Sequence, residues 1–302
     1  MVENAFGDDW TREKLECLQR YLAAYRLIFD TNERARHLQT IYVDAFAGSG
    51  TITIGRRSAE VDQEESLLPE FSRDRKALID GSTRIALEFE PGFDRYVFIE
   101  KHGRRARSLE QLRTDFPYHA DKIEVHKGNS NVRLQKLCVD TDWRRNRAVV
   151  FLDPYGMQVD WETVKMLGQT KAVDLWYLFS IMGVNRMLTR SRKPPRAWVD
   201  RITRCIGDGW EDEFYSTPST LFDELDRPSI KQADTKRIGR FIVRRLEQVF
   251  TGVARQPRLI CTRGNSPLFL LCFACGDETG CGPALKIAQH ILKMKTERSH
   301  VN

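Results

Sequence analysis

Four short stretches of this sequence end on residues able to contact a nucleotide-like ligand. "IYVDAFAGSG" ends an apolar run on Asp44 and continues through Phe46, Ala47, Gly48, Ser49 and Gly50. "RYVFIEKH" ends on Glu100 and Lys101, and "KIEVHKGNSN" on Gly128, Asn129, Ser130 and Asn131. "AVVFLDPYG" ends on Asp153, Pro154, Tyr155 and Gly156. Glycine turns let backbone N–H groups approach a ligand closely. In an open parallel sheet, ligands bind beyond the carboxyl ends of the strands. The four groups therefore converge on one cleft if each apolar run is a strand of one such sheet.

Two common ligands drop out on spacing. A dinucleotide fingerprint needs a third glycine where Thr53 stands, and an acid about 20 residues on at a strand end. Neither is present. A Walker A loop needs Gly-Lys-Ser/Thr after the turn, which is also missing.

The elements that must position these groups follow from periodicity. Apolar residues at helical spacing (Leu15, Leu18, Leu22, Tyr25, Ile28) predict an amphipathic helix within 10–37. Residues 41–46, 95–100, 122–128, 148–154 and 172–181 read as strands. Helices are expected at 103–116, 131–139 and 161–170, with a short one from Gly81-Ser82 through Leu87. Residues 56–80 read as a long surface loop. Continuous apolar strands alternating with helices make a mostly parallel sheet covered on both faces. "RLICTRG" and "PLFLLCFACG", joined by a Gly-Asn-Ser turn, predict a terminal antiparallel hairpin. A last helix is expected over 283–294. The expected organisation is a helical lead-in (1–38), an α/β domain (39–182 and 257–302), and a basic helical insertion (183–256).

Composition narrows the setting. The 302 residues are 41% hydrophobic and 30% charged, with a net charge of +6. No apolar run approaches the roughly 20 residues of a membrane span, and the N-terminus lacks the pattern of a signal peptide. A cytoplasmic protein is expected. The basic excess is clustered at 185–204, where seven Lys/Arg face one Asp, at Trp143–Arg147, and at 236–245. Such clusters, interleaved with Trp and Phe, suit a nucleic-acid partner, although a solvated helix face has the same composition. Trp143 and Trp198 either stack on bases or pack locally, and local packing is the simpler reading. Seven scattered cysteines do not make a disulfide framework. Cys272, Cys275 and Cys281 have partial metal-ligand spacing, but on a strand residues three apart face opposite ways. Buried thiols and no metal are expected. His102, His119 and His126 lack ligand spacing and read as surface or turn residues. Trp176 and Tyr177 read as core, and Ser180 and Asn185 can line the far end of the cleft.

The strand ends resemble those of class I S-adenosylmethionine-dependent methyltransferases, a Rossmann-like fold with a seven-stranded sheet closed by an antiparallel hairpin. The resemblance implies S-adenosylmethionine as cofactor. The turn Asp44, Phe46, Ala47, Gly48 and Gly50 would approach its methionine part. Glu100, followed by Lys101, would take the ribose hydroxyls, since a carboxylate accepts two hydrogen bonds from a cis-diol. Asn129 and the Ser130 backbone would read adenine. Asp153, Pro154 and Tyr155 resemble the Asp/Asn-Pro-Pro-Tyr/Phe motif of base amino-methyltransferases, one proline short. They are closer to motifs of some tRNA guanine-amino methyltransferases. In that role Asp153 accepts hydrogen bonds from the amino group and Tyr155 stacks on the base; the resemblance also counts Asp153 among the residues lining the cofactor site.

"IYVDAFAGSG", "GSTRIALEFEPGFDRYVFIEKH", "FLDPYGMQVDWETVKML" and "GNSPLFLLCFAC" are also similar, in order and wording, to the three-Cys-motif partner protein family. That family is methyltransferase-like and is associated with a separate iron–sulfur protein. The resemblance implies such a partner. Two function classes stay open: a nucleic-acid methyltransferase, or a cofactor-binding partner that does not catalyse. A methyltransferase of a protein or small molecule is a third.

Overall fold

The computed structural model describes residues 9–33, 35–49, 81–190, 194–215, 231–262 and 264–294, with side chains from Glu13 onward. Gly50 and the expected loop at 56–80 lie outside them. Five strands, β1 (Gln39–Asp44), β2 (Arg95–Glu100), β3 (Ile123–Lys127), β4 (Asn146–Leu152) and β5 (Val173–Phe179), pair in parallel in the order β3-β2-β1-β4-β5. This is the doubly wound order. Near-continuous burial of β1, β2, β4 and β5 requires helices on both faces.

The C-terminal end closes the sheet as a hairpin does. Strands β6 (Gly252–Val253), β7 (Arg258–Cys261) and β8 (Pro267–Cys275) are antiparallel to their neighbours. One edge of β8 pairs with β5, and the other is shared by β7 and then β6. Among the described residues eight strands thus fill seven places, because β6 and β7 share one edge of β8; β6 is too short to show in the sequence pattern. The fold is α/β, Rossmann-like, with a class I methyltransferase arrangement of a mostly parallel sheet ending antiparallel.

One face is covered by α1 (Asp9–Thr31), α2 (81–87), α3 (Gly103–Leu109), α4 (Leu112–Asp115) and the last helix, α11 (Cys281–Lys293). The other carries α5 (Ser130–Asp140), α6 (Trp161–Gln169), α7 (Ile181–Met187), α8 (Arg196–Ile206), α9 (Trp210–Phe214) and α10 (Thr235–Glu247). Helices α8 to α10 place Ile202, Trp210, Phe214 and Ile242 in the same apolar cluster as Leu175 and Tyr177 of β5. Among the described residues no helix is long and apolar enough to cross a membrane.

Three expectations need correction. The single helix expected at 103–116 is two, α3 and α4. Bonds three residues apart, Gln111 N to Ser108 O and Arg113 N to Glu110 O, tighten the chain between them. That spacing eclipses residues three apart and brings Leu109 and Leu112 into one core. His119 sits in a 3-10 turn (Pro117–His119) but is buried, against Tyr96. The cysteines do form one disulfide, Cys275 to Cys281. Asp277 folds the intervening turn by accepting from Thr279 N and Gly280 N, each at 2.8 Å, which returns α11 over the end of β8. Cys272 remains a buried thiol in the opposite core cluster, as strand alternation requires.

Helix α1 spans the sheet from its carboxyl edge to its amino edge. Its stripe of Cys17, Leu18, Tyr21, Leu22 and Tyr25 is buried, and three polar anchors fix it. Lys14 pairs with Asp153 after β4 at 2.5 Å, the Tyr21 hydroxyl donates to Asp174 of β5 at 2.5 Å, and Arg26 donates to Thr40 of β1 at 2.6 Å. Burial pushes the Asp174 carboxyl up to about 7; the Tyr21 hydroxyl pulls it back, Asp277 adds to the rise, and Arg147 opposes it. The folded protein therefore holds this proton more tightly than the unfolded chain. Stability from this group is present below its unfolded value and is lost as pH rises through the folded one. Replacing Asp174 with Asn, which still accepts from Tyr21, removes that loss. We expect the Asp174→Asn protein to melt near wild type at about pH 4 and above it at about pH 8 in thermal denaturation. A constant difference across that range counts against the assignment.

Candidate functional site

Backbone bonds stitch the carboxyl ends of the strands together. Ala45 N donates to Phe151 O at 3.2 Å, joining β1 to β4, and Ala47 N donates to Ile99 O at 3.0 Å, joining β1 to β2. Gly128 N reaches Glu100 O at 3.0 Å, joining β2 to β3. The Ser130 hydroxyl donates to Ala45 O at 2.5 Å, tying the head of α5 to the turn after β1. Four strand ends that are far apart in sequence thus form one edge.

The glycine turn and the acid after it are in direct contact. Gly48 takes φ 66°, a left-handed conformation suited to glycine, and aims its N–H at Glu100 Oε2, 3.1 Å away. The other oxygen, Oε1, accepts His102 N at 2.7 Å. Glu100 is buried, yet each carboxylate oxygen keeps acceptor capacity beyond these single bonds. Lys101 is exposed beside it, and Ala47 is buried within the turn. Phe46 is half-buried and packs on the α5–α10 side of the core. Asn129 is exposed at the mouth; its side-chain oxygen caps α5, accepting from Asn131 N at 2.9 Å.

A charged cluster lies beside this edge, on the α1 face. Asp44 is fully buried, accepting from the Ser82 hydroxyl of α2 at 2.6 Å and from Phe46 N at 3.1 Å. Burial pushes its carboxyl up to about 7. The Ser82 and Phe46 hydrogen bonds pull it down, Asp153 adds to the rise, and Lys14 opposes it. Asp153, 2% exposed, is engaged by the wholly buried ammonium of Lys14. The Lys14 nitrogen also stands 5.9 Å from the centre of the Phe151 ring.

A carboxamide relay shapes the loop after Asp153. Asn131 donates to Gln158 O at 2.9 Å and accepts from Asp160 N at 2.9 Å and the Thr163 hydroxyl at 3.0 Å. Gln158 in turn accepts Tyr155 N at 3.0 Å. Pro154 is buried and Tyr155 half-buried at the top of this loop.

Asp44, Phe46, Ala47, Gly48, Glu100, Lys101, Asn129, Ser130, Asp153, Pro154 and Tyr155 thus all fall at or beside the carboxyl edge, while Gly50 lies outside the described residues. Ser180 caps α7, accepting Gly183 N at 3.2 Å, and Asn185 is held by Lys231 at 2.9 Å. Trp143 packs locally, with its indole N–H on Cys138 O at 2.8 Å. Trp176 and Tyr177 are core. Among the described residues no group of three or more His, Cys, Asp or Glu can hold a metal ion.

Sequence reasoning missed Lys14 and Gln158, and it placed Asn131 at the third strand end and Ser82 at a helix start without their partners. For Lys14 a signal existed: it heads the spacing 14-18-21-25 of the apolar stripe, where a lysine is buried only with a partner. Part of the basic excess is neutralised internally. Glu213 pairs with Arg244 at 2.9 Å and Arg237 at 3.5 Å, and Arg245 stacks on Trp161 at 4.8 Å. Arg196 and Arg240 are exposed.

No family model matches this chain, and no curated protein matches it. Among solved structures the chain is similar to protein LPL1258 of Legionella pneumophila str. Philadelphia 1, of the family model DUF519. The identity is 14% over 95% of this chain and 92% of that one, with a TM-score of 0.47. It is also similar to the Escherichia coli protein yhhF, described as a "putative methyltransferase", at 14% identity. That match covers 63% of this chain and 77% of the other, with a TM-score of 0.30.

Proposed function

We propose that this protein is a cytoplasmic S-adenosylmethionine-dependent methyltransferase acting on an amino group of a nucleic-acid base. The observation that carries the reading is the contact between the left-handed Gly48 and Glu100 on a stitched strand edge. The residues fit the cofactor. Glu100 has lone pairs for a cis-diol, Asn129 and Ser130 lie at the same edge, and the glycine turn offers a close backbone approach. Bound there, S-adenosylmethionine supplies a methyl group activated by its sulfonium. The chain's own part is positioning: Asp153 accepts a hydrogen bond from the amino group and Tyr155 stacks on the base. The exposed arginines Arg196 and Arg240 contact phosphates.

A second reading, a cofactor-binding partner without catalysis, draws on one observation. Asp153 is buried and already ion-paired with Lys14. The motif resemblance to three-Cys-motif partner proteins, with their separate iron–sulfur protein, favours the same reading and rests on the quoted motifs alone.

Three measurements test these assignments. Replacing Glu100 with Ala removes hydrogen bonds to a charged acceptor, each about 1.5–3 kcal/mol, so cofactor affinity should fall about ten- to a hundredfold by calorimetry. Unchanged affinity sinks the ribose role. With labelled cofactor and total RNA or DNA, Asp153→Asn should abolish transfer while retaining cofactor binding; label incorporation at the wild-type rate removes Asp153 from the chemistry. Nucleic-acid affinity should fall steeply with salt, and Arg196→Ala with Arg240→Ala should reduce the log–log slope by about one per lost phosphate contact. A flat salt dependence counts against a nucleic-acid substrate.

A further inference from the structure

The loop between β4 and α6, residues 153–160, has no strand or helix of its own to pair its backbone. Backbone N–H and C=O groups without such partners must find others. Two of them, Gln158 O and Asp160 N, find theirs in one side chain. Asn131 Nδ2 donates to Gln158 O at 2.9 Å, and Asn131 Oδ1 accepts from Asp160 N at 2.9 Å and from the Thr163 hydroxyl at 3.0 Å. A carboxamide suits this contact because it carries a donor and an acceptor side by side in one plane. Gln158 passes the constraint on. Its side-chain oxygen accepts Tyr155 N at 3.0 Å, across a turn where Gly156 takes φ 72°. The relay therefore runs from α5 to the backbone of Tyr155.

Anchoring alone does not call for such a relay. Met157 and Val159 of the same loop are buried and already hold it to the core. Apolar contact is non-directional, whereas three hydrogen bonds to one carboxamide fix the loop's register against the head of α5. The same helical turn is tied to the cofactor edge. The Ser130 hydroxyl donates to Ala45 O at 2.5 Å, and the Asn129 side-chain oxygen accepts Asn131 N at 2.9 Å. Residues 129–131 thus join the turn after β1, the residue assigned to adenine, and the loop bearing Tyr155. We propose that Asn131 is a positioning residue for Tyr155, and that it couples occupancy of the cofactor edge to the placing of this loop. A ligand that grips Asn129 acts on the cap completed by Asn131 N, which gives the free and bound states the different contacts that coupling requires. The coupling rests on the reading that this edge holds S-adenosylmethionine; the positioning does not.

The test uses the full chain labelled with nitrogen-15 tyrosine, in wild-type and Asn131→Ala forms. The Tyr155 amide signal is assigned by its loss in Tyr155→Phe. Without ligand, hydrogen exchange at that amide should be about tenfold faster in Asn131→Ala, because the loop opens more readily. Saturating S-adenosylhomocysteine should shift the Tyr155 signal in wild type and leave it nearly in place in the variant. With labelled cofactor and RNA or DNA, kcat should fall about ten- to a hundredfold, with a smaller change in the cofactor KM. Should Asn131→Ala fail to fold, Asn131→Asp at about pH 8, where the carboxylate keeps the acceptor and loses the donor to Gln158 O, carries the same measurements. Exchange at Tyr155 unmoved by the substitution, or a wild-type kcat in the variant, overturns the positioning role. A full ligand-induced shift in the variant, or none in saturated wild type, overturns the coupling. If wild type binds no S-adenosylhomocysteine, the cofactor reading fails and the coupling with it, while exchange still decides whether Asn131 holds the loop. If wild type binds it and methylates neither RNA nor DNA, the nucleic-acid reading alone fails, and exchange and the ligand-induced shift still decide the role of Asn131.

Discussion

Parallel pairing from β3 to β5 forces five strand ends onto one edge, and the site follows from that constraint. A parallel ladder leaves the amide and carbonyl groups just past each strand without strand partners. Here the turns meet that need with each other: Ala45 with Phe151, Ala47 with Ile99, and Gly128 with Glu100. The bonds that complete the backbone of each turn are therefore the ones that bring Asp44, Glu100, Asn129 and Asp153 to the same edge. Fold and site are joined through these few N–H groups, and displacing one turn moves the residues of two strands.

Helix α1 supplies what the sheet lacks. The exposed face of β4, β5 and β8 needs an apolar cover, and α1 gives it with Leu18, Tyr21 and Tyr25 against Trp176 and Phe273. Burying one such side chain is worth about 1.5–3 kcal/mol, so the stripe alone outweighs any single polar anchor. The anchors act differently. Lys14, Tyr21 and Arg26 engage the top, middle and bottom of the sheet and fix the helix's register along it. Apolar contact holds the helix; the polar contacts decide where it stops.

The strands were legible because they are short apolar runs that end on acids or glycines. β2 falls on its expected bounds, and the others shift by only a residue or two. The 3.6-residue stripe of α1 and the hairpin of β7 and β8 were equally plain. β6 was not, since two residues carry no periodicity. The break between α3 and α4 was not, because the tertiary demand to bury Leu109 with Leu112 overrides helix propensity. The Cys275–Cys281 disulfide depends on a turn built by Asp277, which no cysteine spacing reveals. At the site, residues next to strand ends could be read from the chain. Partners from afar could not: Lys14 lies 139 residues from Asp153, and only the folded packing of α1 brings them together.

In the basic helices, geometry divides charge that composition only counts. Basic clusters at 185–204, 143–147 and 236–245 suited a nucleic-acid partner or a solvated helix face. Lys231 and several basic side chains of the 236–245 cluster do structural work. Arg244 and Arg237 converge on Glu213, so their charge is spent joining α10 to α9. Lys231 gathers Asn185 and the carbonyl of Leu188, closing the end of α7. Arg245 bonds Ile206 O and lies over Trp161, locking α10 to α8 and α6. Exposed surface pairs contribute little energy, but an arginine that also satisfies a helix-end carbonyl fixes geometry. The charge left facing solvent is thus carried by residues such as Arg196 and Arg240, which are exposed, and not by the total. The other sides of these helices are committed to the core.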